Sequence, residues 1–146
     1  MDQLTYNIAQ LGPILVLTMG CCGSAFGCYI ASMASHAAMA RTEEGHGKFI
    51  GMASVPSSQS IYGFILMILM YNNIKSGVLS PIAAVFVGLG VGLALMVSAI
   101  LMGKVIAASI QATLQQPSIY GKCYVGIGIL ESFALFAFVF ALLIIG

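Results

Sequence analysis

The chain has four acidic residues, and one of them lies where a carboxylate is expensive. Asp2, Glu43 and Glu44 fall in a terminal segment and a polar loop. Glu131 sits inside an apolar run, nine residues beyond Lys122 and fifteen before the last residue. At about 1.5 Å per helical residue, that places it near the middle of a membrane span. A charge there costs roughly 3 kcal/mol even on lenient insertion scales, so an ionisable residue at mid-span marks a functional site. Hydrocarbon favours the neutral form of a carboxyl. Such a group crosses a lipid-facing environment when protonated or cation-bound, and resists crossing when bare. A carrier that must load before it moves needs this behaviour. The plainer role is a glutamate that only ties two helices together.

A polar cluster lies at the same depth in Pro56-Ser57-Ser58-Gln59-Ser60-Ile61-Tyr62-Gly63-Phe64. Gln59-Ser60 with Phe64 is echoed 72 residues later by Glu131-Ser132 with Phe136, so a neutral amide occupies the position matching the carboxylate. Pro56 has no amide to offer the carbonyl of Met52 and should loosen the turn there. Ser58 and Tyr62 are four apart on one helix face, with Gln59 beside them. They are expected to fix the Glu131 side chain and any cation; the plainer role is bonding to one another or to the backbone.

The elements that must carry these groups follow from composition. Of 146 residues, 60% are hydrophobic and 6% charged, and the mean hydropathy is +1.06. Soluble domains carry about 25% charged residues, so the chain is expected to be an all-α integral membrane protein. Four apolar runs, about 11–35, 49–71, 81–103 and 123–145, each reach the roughly 20 residues that cross the hydrocarbon. Helices one and three should continue past it, giving helices of about 11–40, 49–71, 80–114 and 123–145. Short loops at 41–48, 72–77 and 115–122 make neighbours antiparallel. The result is two tandem hairpins, 1–73 and 74–146. A net charge of +1 and the lack of basic runs argue against nucleic acid as a partner. No phosphate-binding glycine loop, metal-ligand cluster or nucleophile elbow appears, and no cofactor is expected. Met1-Asp2-Gln3 lacks the basic start of a targeting signal. Cys21, Cys22, Cys28 and Cys123 read as small packing residues.

The hairpins resemble each other. Gly47-Lys48 opens helix two as Gly121-Lys122 opens helix four, at an offset of 74, so the repeat needs a small gap. Six of the eight phenylalanines lie in helices two and four. Helices one and three are rich in glycine, including Gly20, Gly23, Gly27, Gly88 and Gly92. Small residues recur four apart at Gly23, Gly27, Ala31 and Ser35, and at Gly90, Ala94 and Ser98. Such stripes let backbones approach closely in lipid, and they suggest an inner pair, one and three, with two and four outside. Arg41, Lys48, Lys104 and Lys122 lie at one face and Lys75 at the other, which puts loops 41–48 and 115–122 in the cytoplasm.

Two glycine-rich hairpins, the Pro56–Phe64 motif, Gly103-Lys104 at the end of helix three and Glu131 in helix four together resemble the membrane rotor subunit of V-type ATPases. The likeness is to the duplicated bacterial type, subunit K or proteolipid c, and it covers essentially the whole chain. It implies a homo-oligomeric ring with helices one and three inside and two and four outside, with Gly20, Gly23, Gly27, Gly88 and Gly92 packing the ring. Each protomer would carry one ion on Glu131, coupled to ATP hydrolysis or synthesis, without being an enzyme on its own. Ser58, Gln59 and Tyr62 would surround the ion, with the Val55 carbonyl as a further ligand in sodium-binding relatives. Implied partners are other copies, membrane lipid, a stator subunit with a basic residue facing Glu131, and a central-stalk subunit at the cytoplasmic loops. Arg41, Glu43, Glu44 and Lys122 are the candidate stalk contacts, and a bacterial inner membrane is the implied location. Sodium-binding relatives carry a Gln before the Gly-Lys of helix three, where this chain has Met102. A thioether is a poor partner for a hard cation, so H⁺ is favoured; with Na⁺, the ligands would be Glu131, Gln59 and Ser58. His36 and His46 read as ordinary loop-side histidines. Two alternatives stand beside the rotor: a small four-helix secondary transporter using Glu131, and a tetraspan scaffold. Many transporters use inverted repeats, whereas hairpins in series give parallel ones.

Overall fold

The computed structural model describes residues 2–146; Met1, the first residue of the first hairpin, lies outside the described residues. Every regular element among them is helical. A short α1 (Gln3–Ala9) precedes α2 (Leu11–Met39). Asp2 caps α1 by accepting the Thr5 amide at 3.3 Å. Pro13 accounts for the break between the two helices, because it has no amide for the Ala9 carbonyl and its ring crowds that oxygen. Apolar counting alone began helix one at residue 11 and did not foresee α1, whose Gln3, Thr5 and Asn7 dilute the run.

The second span is interrupted. It consists of α3 (His46–Ser54), a 3₁₀ turn (Val55–Ser57) and α4 (Ser58–Lys75). It starts three residues before the expected 49 because its first turn is polar. Gly45 opens it with φ of 79°, a conformation a side chain would strain. Pro56 causes the interruption as expected, but the Met52 carbonyl is not left free: the Val55 amide bonds to it in the tighter 3₁₀ pattern. Helix α5 (Pro81–Gln115) starts on a Ser80 cap and Pro81, and a 3₁₀ turn (Pro117–Ile119) leads into α6 (Tyr120–Ile145). Four spans, Gln3–Met39, His46–Lys75, Pro81–Gln115 and Pro117–Ile145, are long and apolar enough to cross a membrane.

Helices α2 and α5 make the most extensive contact; α4 packs on α2, α6 packs on α5, and α4 and α6 touch each other. The glycine-rich pair is therefore central in the chain and the phenylalanine-rich pair flanks it. Glycine is required at the crossing: a Cβ on Gly12 would strike the Ala84 carbonyl, one on Gly27 the Ala99 carbonyl, and one on Gly103 the Gly27 backbone. The small-residue stripe expected on helix three is displaced. Gly90 is exposed, and a Cβ there would meet open space. The face of α5 that meets α2 runs through Ala84, Gly88, Gly92, Ala99 and Gly103, about half a turn away from Gly90. A four-residue period fixes a stripe but does not choose between neighbouring faces. Two apolar clusters fill the interior. One gathers Val16, Leu66, Met70, Leu95 and Ala134; the other gathers Ala31, Met52, Met102, Ile106 and Ile127. In every span the sequence between the two clusters holds a polar residue: Ser24, Gln59, Ser98 and Glu131.

Candidate functional site at Glu131

Glu131 is the twelfth of the 26 residues of α6 and is partly buried against α4. The 3₁₀ turn at Pro56 sets the rotation of α4 so that three side chains in its first turns point at the carboxyl. Tyr62 Oη donates to Oε1 at 2.6 Å; Gln59 Nε2 and Ser58 Oγ donate to Oε2 at 3.1 and 3.0 Å. All three donors are neutral, so the carboxylate is held without a fixed cation in the chain's own contacts. The Tyr62 ring leans on Phe138, with centroids 5.2 Å apart, which fixes the hydroxyl from the α6 side. Gln59 is fully buried, and its backbone carbonyl faces Gly20, where a Cβ would come within 2.9 Å.

Ser58 has one hydrogen to give and three acceptors in reach: Glu131 Oε2, Gln59 Oε1 at 3.2 Å and the Val55 carbonyl at 3.1 Å. This makes the site tolerant of two protonation states. With Glu131 ionised, Ser58 can donate to it. With a proton on Oε2, that proton can bond to Ser58 Oγ while Ser58 turns its hydrogen to Val55. No heavy atom has to move, and no polar group is left unsatisfied. The oxygens of Val55, Gln59 and Glu131 thus converge on the Ser58 hydroxyl. The Val55 carbonyl also accepts the Ser58 amide, so one of its lone pairs stays engaged and the other is engaged only when Ser58 turns its hydroxyl hydrogen there.

Two contributors were not foreseen. The buried Ser24 hydroxyl accepts the Ser60 amide at 3.0 Å, and the buried Ser98 hydroxyl donates to the Leu130 carbonyl at 2.8 Å. Each central helix thus uses one serine to grip the backbone of its flanking helix beside the site. A serine at matched depth in helices one and three, 74 residues apart, was the available signal. Met102 is fully buried in the cluster against which Val55 and Leu130 pack, immediately beside the polar layer. The five glycines assigned to packing between copies have close neighbours inside this chain: Gly20 and Gly23 meet Gln59 and Met96, Gly27 meets Ala99, Gly88 meets Gly12, and Gly92 meets Met19. The loop residues Arg41, Glu43, Glu44 and Lys122 are exposed. His36 is also exposed, and His46 Nε2 lies 2.7 Å from the Thr42 carbonyl. All four cysteines are free thiols.

The model of a family described as the C subunit of ATP synthase matches the chain twice, over residues 11–70 and 85–144. The chain is similar to the V-type sodium ATPase subunit K of Enterococcus hirae, with 28% identity over 153 aligned positions and 98% of each protein covered. It is also similar to the A-type ATP synthase subunit K of Methanocaldococcus jannaschii, with 34% identity over 123 positions, covering 83% of this chain and 56% of that protein.

Proposed function

The chain belongs to the ATP synthase C-subunit family in its V/A-type, duplicated-hairpin form, and on that premise we propose that identical copies form the membrane rotor ring of a rotary ATPase, each carrying one ion on Glu131. The observation that carries this reading is the mid-span carboxylate held by Ser58, Gln59 and Tyr62. The chain is not an enzyme by itself; hydrolysis or synthesis of ATP takes place elsewhere in the complex. The duplicated unit divides near 73/74, with helices α2 and α5 towards the ring axis and α4 and α6 towards lipid. In this reading a stator subunit presents a basic residue to Glu131, and a central stalk meets loops 41–48 and 115–122 on the cytoplasmic side of a bacterial membrane.

The favoured ion is the proton. Both carboxyl oxygens already have neutral donors, and the Ser58 hydroxyl accommodates a proton by rotation alone. Sodium needs more oxygen. Met102 offers a thioether where a further ligand would help, and losing one contact to a charged group is worth on the order of 1.5–3 kcal/mol. The sodium reading draws support from the convergence of Val55, Ser58, Gln59 and Glu131 oxygens and from the name of the Enterococcus relative.

Dicyclohexylcarbodiimide, which attacks protonated carboxyls, tests the choice. It should label Glu131, and millimolar sodium at neutral pH should give no protection in the native protein. Met102→Gln should bring protection in. Clear sodium protection of the native protein would overturn the proton assignment.

A further inference from the structure

Ser24 and Ser98 stand 74 residues apart, and each grips the backbone of its own flanking helix. The Gly47-Lys48 and Gly121-Lys122 pairs share that spacing. Helices α2 and α5 therefore hold equivalent places in two copies of one hairpin, and each has two sides at right angles to its serine. Helix α2 turns Gly12, Gly23 and Gly27 towards α5. Their equivalents on α5 are Phe86, Val97 and Leu101, and all three are exposed. Helix α5 turns Gly88, Met96, Ala99 and Gly103 towards α2. Their equivalents on α2 are Ile14, Cys22, Ala25 and Tyr29, again all exposed. At about 100° per residue, each set lies on one side of its helix.

The chain thus joins one side of α2 to one side of α5 and leaves the complementary sides free. On the free side of α5 lies an almost wholly apolar groove of about 500 Å³, lined by Leu93, Val97 and Leu101 with Leu130 and Phe133 of α6. Two free faces that repeat the two halves of an existing crossing suit each other. A contact of this head-to-tail kind always leaves one face open at each end, so copies add until a ring closes.

The equivalence fails in one respect. Inside the chain the crossing closes on backbone, with Gly12 against Gly88, Gly23 against Met96 and Gly27 against Gly103. At the equivalent places the free faces carry Phe86 with Ile14, Val97 with Cys22 and Leu101 with Tyr29. Small residues are what let membrane helices meet on backbone; these larger ones hold the axes apart. Lys104, exposed on the same side of α5, lies about 9 Å from Ser98 towards the loop end, and its long stem can carry the ammonium to the membrane boundary.

We propose that the free face of α5 seats on the free face of α2 of the next copy, in the register of the chain's own α2–α5 crossing but with the axes further apart. The inner wall then alternates close backbone contacts within copies and wider side-chain contacts between them. This rests on the ring reading, which by itself chooses neither the faces nor the spacing. The register sets Val97 of one copy against Cys22 of the next, as Gly23 lies against Met96 within the chain.

The test uses the assembled complex with Cys21, Cys28 and Cys123 replaced by Ala, Cys22 kept and Val97→Cys added. A disulfide closes over Cα separations of about 4.4–6.8 Å, and a crossing slightly wider than the backbone contact falls in that range. Mild oxidation should link most chains into a ladder of multimers on a denaturing gel, reversed by reductant. Ala25→Cys with Leu101→Cys, in a chain whose four native cysteines are Ala, is a second pair and should link likewise. Ile61→Cys in place of Val97→Cys, exposed at similar depth on α4, should not link to Cys22. Val97→Leu should leave the ring intact, whereas Gly23→Leu should not, since a Cβ there strikes the Met96 backbone. Links that stop at dimers, or that form from Val97→Cys with Cys22→Ala, would mean that α5 pairs with α5 and would overturn the register. A closed ring that links through neither pair would overturn the choice of faces, and a ring lost on Val97→Leu would overturn the wider spacing. Native protein that forms no closed particle would count against the ring reading instead.

Discussion

At the residue scale the site depends on three neutral donors sharing one carboxylate. Tyr62→Phe leaves Oε1 without its 2.6 Å donor. A hydrogen bond to a charged group is worth about 1.5–3 kcal/mol, so transport should fall roughly tenfold or more while assembly persists. Transport assays on purified variants check this, and an unchanged rate would mean the tyrosine is only packed there. Glu131→Asp should be impaired as well, because one methylene less withdraws the carboxyl from Gln59 and Ser58. A separate, pH-dependent effect belongs to Asp2, whose bond with Thr5 holds its carboxyl below the usual value of 3.8. A depressed carboxylate stabilises its cap fully above that value and loses the contribution as pH falls through its own lower midpoint. The Thr5 amide resonance should therefore titrate with a midpoint below 3.8, and a midpoint at or above it would remove the cap. The principal residues were legible because residue type and depth sufficed: an acid in an apolar run, and two hydroxyls four apart with an amide beside them in the matching run. Ser24 and Ser98 were not, because a serine in a membrane helix is unremarkable until its hydroxyl meets the backbone of a neighbouring helix.

At the element scale the crossing of α2 and α5 is set by glycines whose replacements should cost unequal amounts. A Cβ at Gly27 strikes the Ala99 backbone, which cannot retreat, whereas at Gly92 its nearest neighbour is the movable Met19 sulfur, at 2.8 Å, and at Gly90 it meets open space. Gly27→Ala should therefore destabilise most, by about 1–3 kcal/mol, with Gly92→Ala less and Gly90→Ala near neutral. Thermal unfolding of the extracted complex reads the order, and equal effects at all three would show that this crossing does not limit packing. The four spans were legible from apolar length alone. The polar first turns of α1 and α3 were not, since hydropathy is silent about helix that lies outside hydrocarbon. The displaced face on α5 was unreadable for another reason: on a helix apolar all round, small residues are the only marker of orientation, and α5 carries them on more than one side.

At the scale of the whole molecule, two hairpins in series have kept matched depth but diverged in chemistry, with Gln59 neutral and Glu131 ionisable. On the proposed reading each protomer moves one ion for four helices, a gearing that favours pumping against steep gradients over synthesis from shallow ones. The repeat was visible in the sequence, and so was the rotor likeness. A cleft between the first two spans was not, because Cys28, Ser35 and Ser57 come together only once the helices pack. The ring itself predicts that purified complexes contain many copies in one closed particle; monomers or dimers alone would contradict it. The central claim is that Glu131 carries the ion, and the most direct measurement is transport by complexes containing Glu131→Gln, reconstituted in vesicles and driven by ATP. The amide is close in shape, so the ring should assemble and ion transport should fall to background. Transport at the native rate from that variant would contradict the claim.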